Sequence, residues 1–552
     1  MSKPATPTTQ HTPRRRGEES IKETFEAIAI AFILAFVFRA FVVEAFVIPT
    51  GSMAPTLLGQ HLRVPCQQCG HRFATDVPDR RGEQRTAIPL RSRTGITCPM
   101  CRFTNHLPQG TRPSSGDRIL VQKYIYNVRS PQRWDVAVFK NPQQPEVNFI
   151  KRLVGLPNEA VHLFEGNVYT APLDDSGNPV ESGWRIARKS DRPDVQRAVW
   201  QPIYHSQYIP LDEGDPARNQ LRDRRWRTPW VAEGPRQDAW QIDNRRSYRF
   251  DSDRDGRVRF DFSRGGDDET AGLYPYNQHR AWIDPEPMED IRLAVGVEPD
   301  QAGLRIALTT TARLHDGQHQ DTELGAEQLT ATLDETGELR LTAGDLETGE
   351  IRAELDRVQV RPLRPGRTTR LELWYVDQEA SVWIDGRRVL QRRFDPPMDV
   401  LRERPGPLDR PETLHISVAG SPVTLHQVEL DRDLYYSTLS GADQRRARGA
   451  MVRLGDRVAG WRRPLIIRDN EYFPVGDNGP QSDDGRFWQH VDETIAEQYF
   501  ADRLADGEDA AGLVPEELMM GRAFFVYFPA PYPWQAGGRQ IVPNFGDMRM
   551  IR

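Results

Sequence analysis

From Ala27 to Ile48 the chain reads AIAIAFILAFVFRAFVVEAFVI, 22 positions that are almost all apolar and are broken only by Arg39 and Glu44. A run of that length without polar periodicity predicts a helix able to span hydrocarbon. Beyond it the period changes. VNFIKRLVGLPNE (147–159) is an apolar β-type run closed by a Gly-Leu-Pro turn, and RLELWYVD (370–377) with SVWIDGRRVL (381–390) predicts a hairpin. GELRLTAG, LRIALTT and HISVAG add short alternating strands at the spacing of a β-sandwich. The pattern predicts a mostly β protein behind a single N-terminal transmembrane helix.

Length and charge refine this picture. With 552 residues the chain is too long for one core and implies two to four domains. The net charge of −6 is mild and its arginines are interspersed with acids, which argues against a nucleic-acid partner. Arg14, Arg15 and Arg16 precede the apolar run, and positive residues stay cytoplasmic. Residues 1–26 are therefore expected in the cytoplasm, 27–48 in the lipid bilayer of the inner cell membrane, and the remainder outside. A cleavable signal peptide is the alternative, but the run is long for one and no small-x-small site follows it. Arg39 and Glu44 read as interfacial residues that snorkel or pair with each other.

Directly after the run, PTGSMAPTL (49–57) places Ser52 between a glycine and a methionine, with Pro49 and Pro55 both opposing helix continuation. A rigid exposed turn suits a nucleophile, but a serine hydroxyl needs a base. The histidines, among them His61, His71, His106 and His490, lie in no nucleophile-base motif. Only six of the 73 basic residues are lysines, and arginine cannot give up its proton. Lys3 and Lys22 precede the span. Lys123 and Lys140 have the setting of surface strand lysines, and Lys189 is the remaining one, whereas Lys151 sits in an apolar strand whose burial would lower its pKa toward working pH. Lys151 is the expected base.

Five segments in order, PTGSMAPTL, GDRILVQKYIY (116–126), RWDVAVFKNP (133–142), FIKRLVGLPNE (149–159) and VGDNGPQSDDGRFW (475–488), resemble the boxes of bacterial type I signal peptidases, or leader peptidases. The resemblance covers less than half the chain. It implies a membrane-anchored Ser-Lys endopeptidase of mostly β fold that removes signal peptides from exported precursors, with small residues preferred at −1 and −3 and no cofactor for catalysis. It further implies Ser52 as nucleophile, Lys151 as general base, Thr50 with the Ser52 N–H as oxyanion hole, and Ser482 as the hydroxyl that orients the lysine. Asp484 and Arg486 resemble the box's ion pair, and Asp477 and Asn478 its shaping residues. Gly479 and Gly485 depart from the usual G-D-N-R and D-S-R. Two rivals stay open: a self-cleaving Ser-Lys peptidase of the repressor-protease type, and an inactive scaffold displaying a binding module.

Two inserts split this core into 49–65, 111–170 and 455–552. The first, 66–110, holds all four cysteines as two C-x2-C knuckles, Cys66 with Cys69 and Cys98 with Cys101, a set suited to structural zinc in zinc-ribbon-like hairpins. Two disulfides are the alternative, because the segment is placed outside the cytoplasm. The second, 171–454, is the β-sandwich; its WYVD and VWIDG runs resemble concanavalin-like or laminin-G-like domains, which implies a glycan or protein ligand, with a purely structural insert as the alternative. DSDRDG (251–256) has the alternating oxygens of a calcium loop but no closing glutamate, so a turn is expected.

Overall fold

The computed structural model describes residues 16–77, 94–211, 226–243, 245–264, 275–278, 286–314, 326–403, 408, 410–437, 464–530 and 544–552. The chain is mostly β. Its N-terminal helix, Arg16–Phe41, presents Phe25, Ile30, Phe32, Ile33, Leu34 and Phe36 to the outside. Among the described residues no helix is long and apolar enough to cross a membrane. The apolar run expected as one helix to Ile48 is in fact divided. Its helix ends at Phe41, and Val43–Val47 is a strand paired antiparallel with Arg118–Gln122. Val42, Val43 and Val47 are β-branched and suit the pleat, and Glu44 reaches Lys123 at 3.3 Å. Arg14 and Arg15 lie outside the described residues.

The strand Val43–Val47 begins an eight-stranded sheet that gathers three distant stretches of chain. Its order is Val43–Val47, Arg118–Gln122, Met519–Phe528, Val136–Asn141, Gln144–Gly155, Glu471–Val475 and Val514–Pro515, with Arg549–Met550 paired to Met519–Phe528. A four-stranded sheet, Arg185–Ile186, Asn167–Pro172, Glu159–Phe164 and Leu465–Ile467, packs beside it. Between them Trp134, Phe139, Leu153, Val161, Phe473 and Trp488 are buried in one core. The helix Pro193–Val199 buries Val195 and Val199 in that same core.

The first insert forms the hairpin Thr94–Thr97 with Thr104–Leu107, and its strand Arg72–Thr75 pairs back onto Leu62–Pro65 at the end of the preceding core segment. The second insert forms a sandwich of an eight-stranded and a seven-stranded sheet, whose first strand, Gln201–His205, pairs with Val423–Arg432. Leu293, Val295, Ile306, Leu308, Leu373 and Ile416 fill the space between the sheets. The segment expected as one hairpin is two. Thr369–Val376 pairs with Glu379–Ile384, which then turns through Asp385 and Gly386 into Arg387–Arg393. Both turn residues have positive φ, 48° and 78°, the geometry that an Asp-Gly hairpin turn requires. DSDRDG is a turn between Ser247–Phe250 and Gly256–Phe260, with Asp251 accepting from Arg249 at 2.5 Å and Asp255 facing Arg305 at 3.4 Å.

Candidate active site

Ser52 opens a tight turn that packs Met53, Ala54 and Leu57 inward, the last closed by Leu57 N–H donating to the Met53 carbonyl at 2.8 Å. Lys151 lies on the strand Gln144–Gly155, whose inner positions are buried against Val136–Asn141. The two side chains meet: Lys151 Nζ donates to Ser52 Oγ at 2.9 Å across 99 residues of sequence. Ser52 is 8% and Lys151 4% exposed, so the contact is shielded from bulk water. Burial pushes the Lys151 pKa down from 10.5 to about 8, against the opposing pull of the Asp484 and Asp483 carboxylates. Such an amine can lose its proton near neutral pH.

The other lysines are differently placed. Lys123 pairs with Glu44, and Lys140 is exposed. Lys189 is buried as fully as Lys151 but is held by Asp377 at 2.6 Å and Asp433 at 2.9 Å. Although burial alone would lower its pKa, those two carboxylates hold it well above the ordinary lysine value, so it stays charged. Burial sets the lysine poised to act apart from its exposed neighbours; the partners set it apart from Lys189.

The Gly-Asp-Asn box closes over the turn. Asn478 N–H donates to the Ser52 carbonyl at 3.0 Å, and Asn478 Nδ2 to the Gly51 carbonyl at 2.9 Å. Asp477 joins the Ser52 turn to the Lys151 strand: it takes Arg152 Nε and Nη2 at 2.8 and 2.7 Å and the Thr56 hydroxyl at 2.5 Å. Asp484 and Arg486 form the expected ion pair at 2.8 Å, with Asp484 also accepting from Gly476 N–H at 2.7 Å. The guanidinium beside Asp484 and these hydrogen bonds keep its carboxyl below the usual range despite burial. Ser482 is buried next to this pair. A Cβ placed on Gly476 would fall 2.0 Å from Ser482 Oγ and 2.6 Å from the Ser52 carbonyl, so the bare glycine lets both approach. No hydrogen bond joins Ser482 Oγ to Lys151. Thr50 is exposed two residues before Ser52. Gly485, which departs from the usual box, is packed so that a Cβ there would lie 2.5 Å from the Gly512 carbonyl.

Several supporting residues escaped the sequence reading. Arg152 and Thr56 are one such pair. Asp117 is another: buried, it accepts from Leu58 N–H at 3.1 Å and Arg549 Nη2 at 3.0 Å, fastening the end of the Ser52 turn. Arg152 directly follows Lys151 and Asp117 lies in GDRILV, so their place in a box was their only signal.

Residues 21–73 and 110–213 match the family described as signal peptidase, peptidase S26. These two segments, which carry Ser52 and Lys151, are similar to the signal peptidase family. Signal peptidase I of Pseudomonas fluorescens is 32% identical over 140 residues, which cover 25% of this chain and 32% of that protein. Signal peptidase I of Rickettsia typhi is 24% identical over 151 residues, covering 27% of this chain and 44% of that protein. The chain thus spans less than half the length of these relatives. Among solved structures, a carbohydrate binding module, CBM66 of Bacillus subtilis, covers 37% of this chain and 96% of that one at 11% identity and a TM-score of 0.22, a likeness too low to carry an inference.

In the ribbon, Cys66, Cys69, Cys98 and Cys101 are free thiols whose sulfur atoms all lie within 4.8 Å of one another, a grouping able to hold a metal ion. Cys66 Sγ is 3.5 Å from Cys101 Sγ and Cys69 Sγ 3.6 Å from Cys98 Sγ. A disulfide needs about 2.05 Å. Four thiolates at about 2.3 Å from one tetrahedral ion stand about 3.8 Å apart, so the donor set fits zinc. Met100, Phe103 and Trp226 shield it from solvent.

Proposed function

We propose that this protein is a membrane-associated serine endopeptidase that removes signal peptides from exported precursors through a Ser52–Lys151 dyad. The observation that carries this reading is the buried 2.9 Å contact between the two side chains. Neutral Lys151 takes the Ser52 proton as Oγ attacks the scissile carbonyl. The resulting oxyanion is received by the Ser52 N–H and the Thr50 hydroxyl, where aligned donors contribute most to rate. The Lys151 ammonium then gives its proton to the leaving amine. In the second half, Lys151 deprotonates water, which releases the acyl group and regenerates Ser52. Ser482, beside Asp484, is assigned to steady Lys151 once substrate has closed the site.

Attachment to the bilayer rests on the second half of the helix Arg16–Phe41, which from Ala27 on is apolar on all sides except at Arg39 and exposes Ile30, Phe32, Ile33, Leu34 and Phe36, with Ser52 eleven residues beyond its end. The single-pass orientation with the catalytic core outside the cytoplasm follows from the basic cluster before it. Structural zinc at the four cysteines completes the ribbon. In the sandwich, a concavity of about 990 Å³ bordered by Glu233, Gln237, Arg257, Arg305 and Thr332 offers the polar surface that a glycan or peptide ligand needs.

Cleavage of a synthetic signal-peptide substrate by the full chain in detergent tests the dyad. Ser52→Ala and Lys151→Ala are each expected to lower kcat by a factor of about 10³ or more. Equal rates for the three proteins refute the mechanism.

A further inference from the structure

One turn of the sandwich insert reaches the nucleophile. The 3-10 turn Pro275–Asn277 stands between the ribbon and the catalytic loop. The ribbon holds it from one side. The Tyr276 carbonyl accepts from Asp76 N–H at 2.8 Å and from the Thr75 hydroxyl at 3.1 Å, while Gln278 Oε1 accepts from Thr97 N–H at 2.8 Å. Both ribbon hairpins are therefore engaged.

On the other side the turn presses on the loop that carries Ser52. The Tyr276 ring occupies the space beside Gly51, where a Cβ would fall 2.5 Å from Cε1, and its hydroxyl donates to the Gln60 carbonyl at 3.3 Å. Asn277 and Asn478 form a reciprocal amide pair: Asn277 Nδ2 donates to Asn478 Oδ1 at 2.7 Å, and Asn478 Nδ2 to Asn277 Oδ1 at 3.0 Å. Each is 1% exposed, so no water competes for the pair. The second proton of Asn478 Nδ2 goes to the Gly51 carbonyl.

That carbonyl belongs to the same peptide unit as the Ser52 N–H. A peptide unit is planar, with C=O and N–H pointing in opposite directions, so pinning one aims the other. Asn478 pins it, and Asn277 leaves the Asn478 amide a single orientation. We infer that Asn277, supplied by the sandwich insert and clamped by the ribbon, is a positioning residue that aims the Ser52 N–H at the oxyanion. This rests on the serine-peptidase reading above. It also gives both inserts a place in catalysis: neither touches the substrate bond, yet both hold the donor that receives its charge.

The test uses the full chain in detergent, comparing wild type, Asn277→Ala and Tyr276→Phe by peptide cleavage and by hydrogen-exchange mass spectrometry. A misaimed oxyanion donor weakens the transition state alone, so Asn277→Ala is expected to lower kcat by about tenfold or more with KM within about threefold. Peptides spanning residues 46–59 should exchange faster, while those spanning 136–155 stay as in wild type. Tyr276→Phe keeps the ring on Gly51 and removes only the hydroxyl contact; it should show the same two effects, smaller, and it stands in if Asn277→Ala does not fold. Wild-type kcat and wild-type exchange in a folded variant overturn the inference, as does a change confined to KM or to melting temperature. An inactive wild type refutes the peptidase reading instead, and the exchange of 46–59 then decides the positioning role by itself.

Discussion

Removing the charge of Asp483 should shift the proposed peptidase activity to lower pH. Lys151 is useful only as the neutral amine, and burial holds its pKa at about 8 rather than 10.5. That displacement corresponds to roughly 3 kcal/mol of preference for the neutral form. At pH 7 roughly one molecule in ten carries the free base, against roughly one in three thousand for an ordinary lysine. Asp484 and Asp483 oppose this by favouring the ammonium. Asp484 is committed to Arg486, so its removal would strand a buried guanidinium. Asp483 is the exposed one, and Asp483→Asn removes its negative charge with little else changed. The assay is kcat/KM on a signal-peptide substrate from pH 6 to 10 at low ionic strength, where the exposed charge is least screened. Wild type should rise with pH through an acid limb near 8 and then level. In Asp483→Asn the limb should move down by a few tenths of a pH unit to about one, raising the rate at pH 7. A wild-type limb near 10, or an upward move in the variant, refutes the account of how Lys151 becomes a base.

Two further outcomes follow from buried groups. Arg152→Met strands Asp477, which it otherwise neutralises through two hydrogen bonds, and should cost about 3–5 kcal/mol in urea denaturation, whereas replacing both partners by apolar residues should cost less; equal losses would refute the pairing. Metal analysis of the purified full chain should find one zinc per molecule, lost in Cys98→Ser, and four thiols that react only after the metal is removed; absence of both metal and free thiols would mean disulfides.

The legible parts of the site share one property: they lie inside short segments whose chemistry is local. Ser52 is marked by its prolines and Lys151 by its apolar strand, and the scarcity of lysine narrows the choice to few partners. The ion pair of Asp484 and Arg486 lies inside one short box and is implied by that box's resemblance. Arg152 with Asp477 spans 325 residues, Asp117 with Arg549 spans 432, and Asn277 with Asn478 spans 201. No local pattern announces such pairs, because each residue alone looks like any polar residue near a turn. Ser482 is marked only by its box, and no local pattern shows that its hydroxyl packs against Gly476.

From the sequence alone follow the β class, Ser52 and Lys151 as candidates and the two knuckles of cysteine, since residue type and spacing mark each. Tertiary structure decided the rest. The apolar run changes from helix to strand at Val43 because Arg118–Gln122 offers a hydrogen-bonding edge there, and hydropathy cannot see an edge. The cysteines stand as a tetrad rather than two bridges because two hairpins bring four sulfur atoms to non-bonded separation. Lys151 and Lys189 are both fully buried lysines, and only the folded chain gives one a serine and the other two carboxylates. Burial makes a lysine costly to charge; what stands beside it determines whether that cost becomes a base or an ion pair.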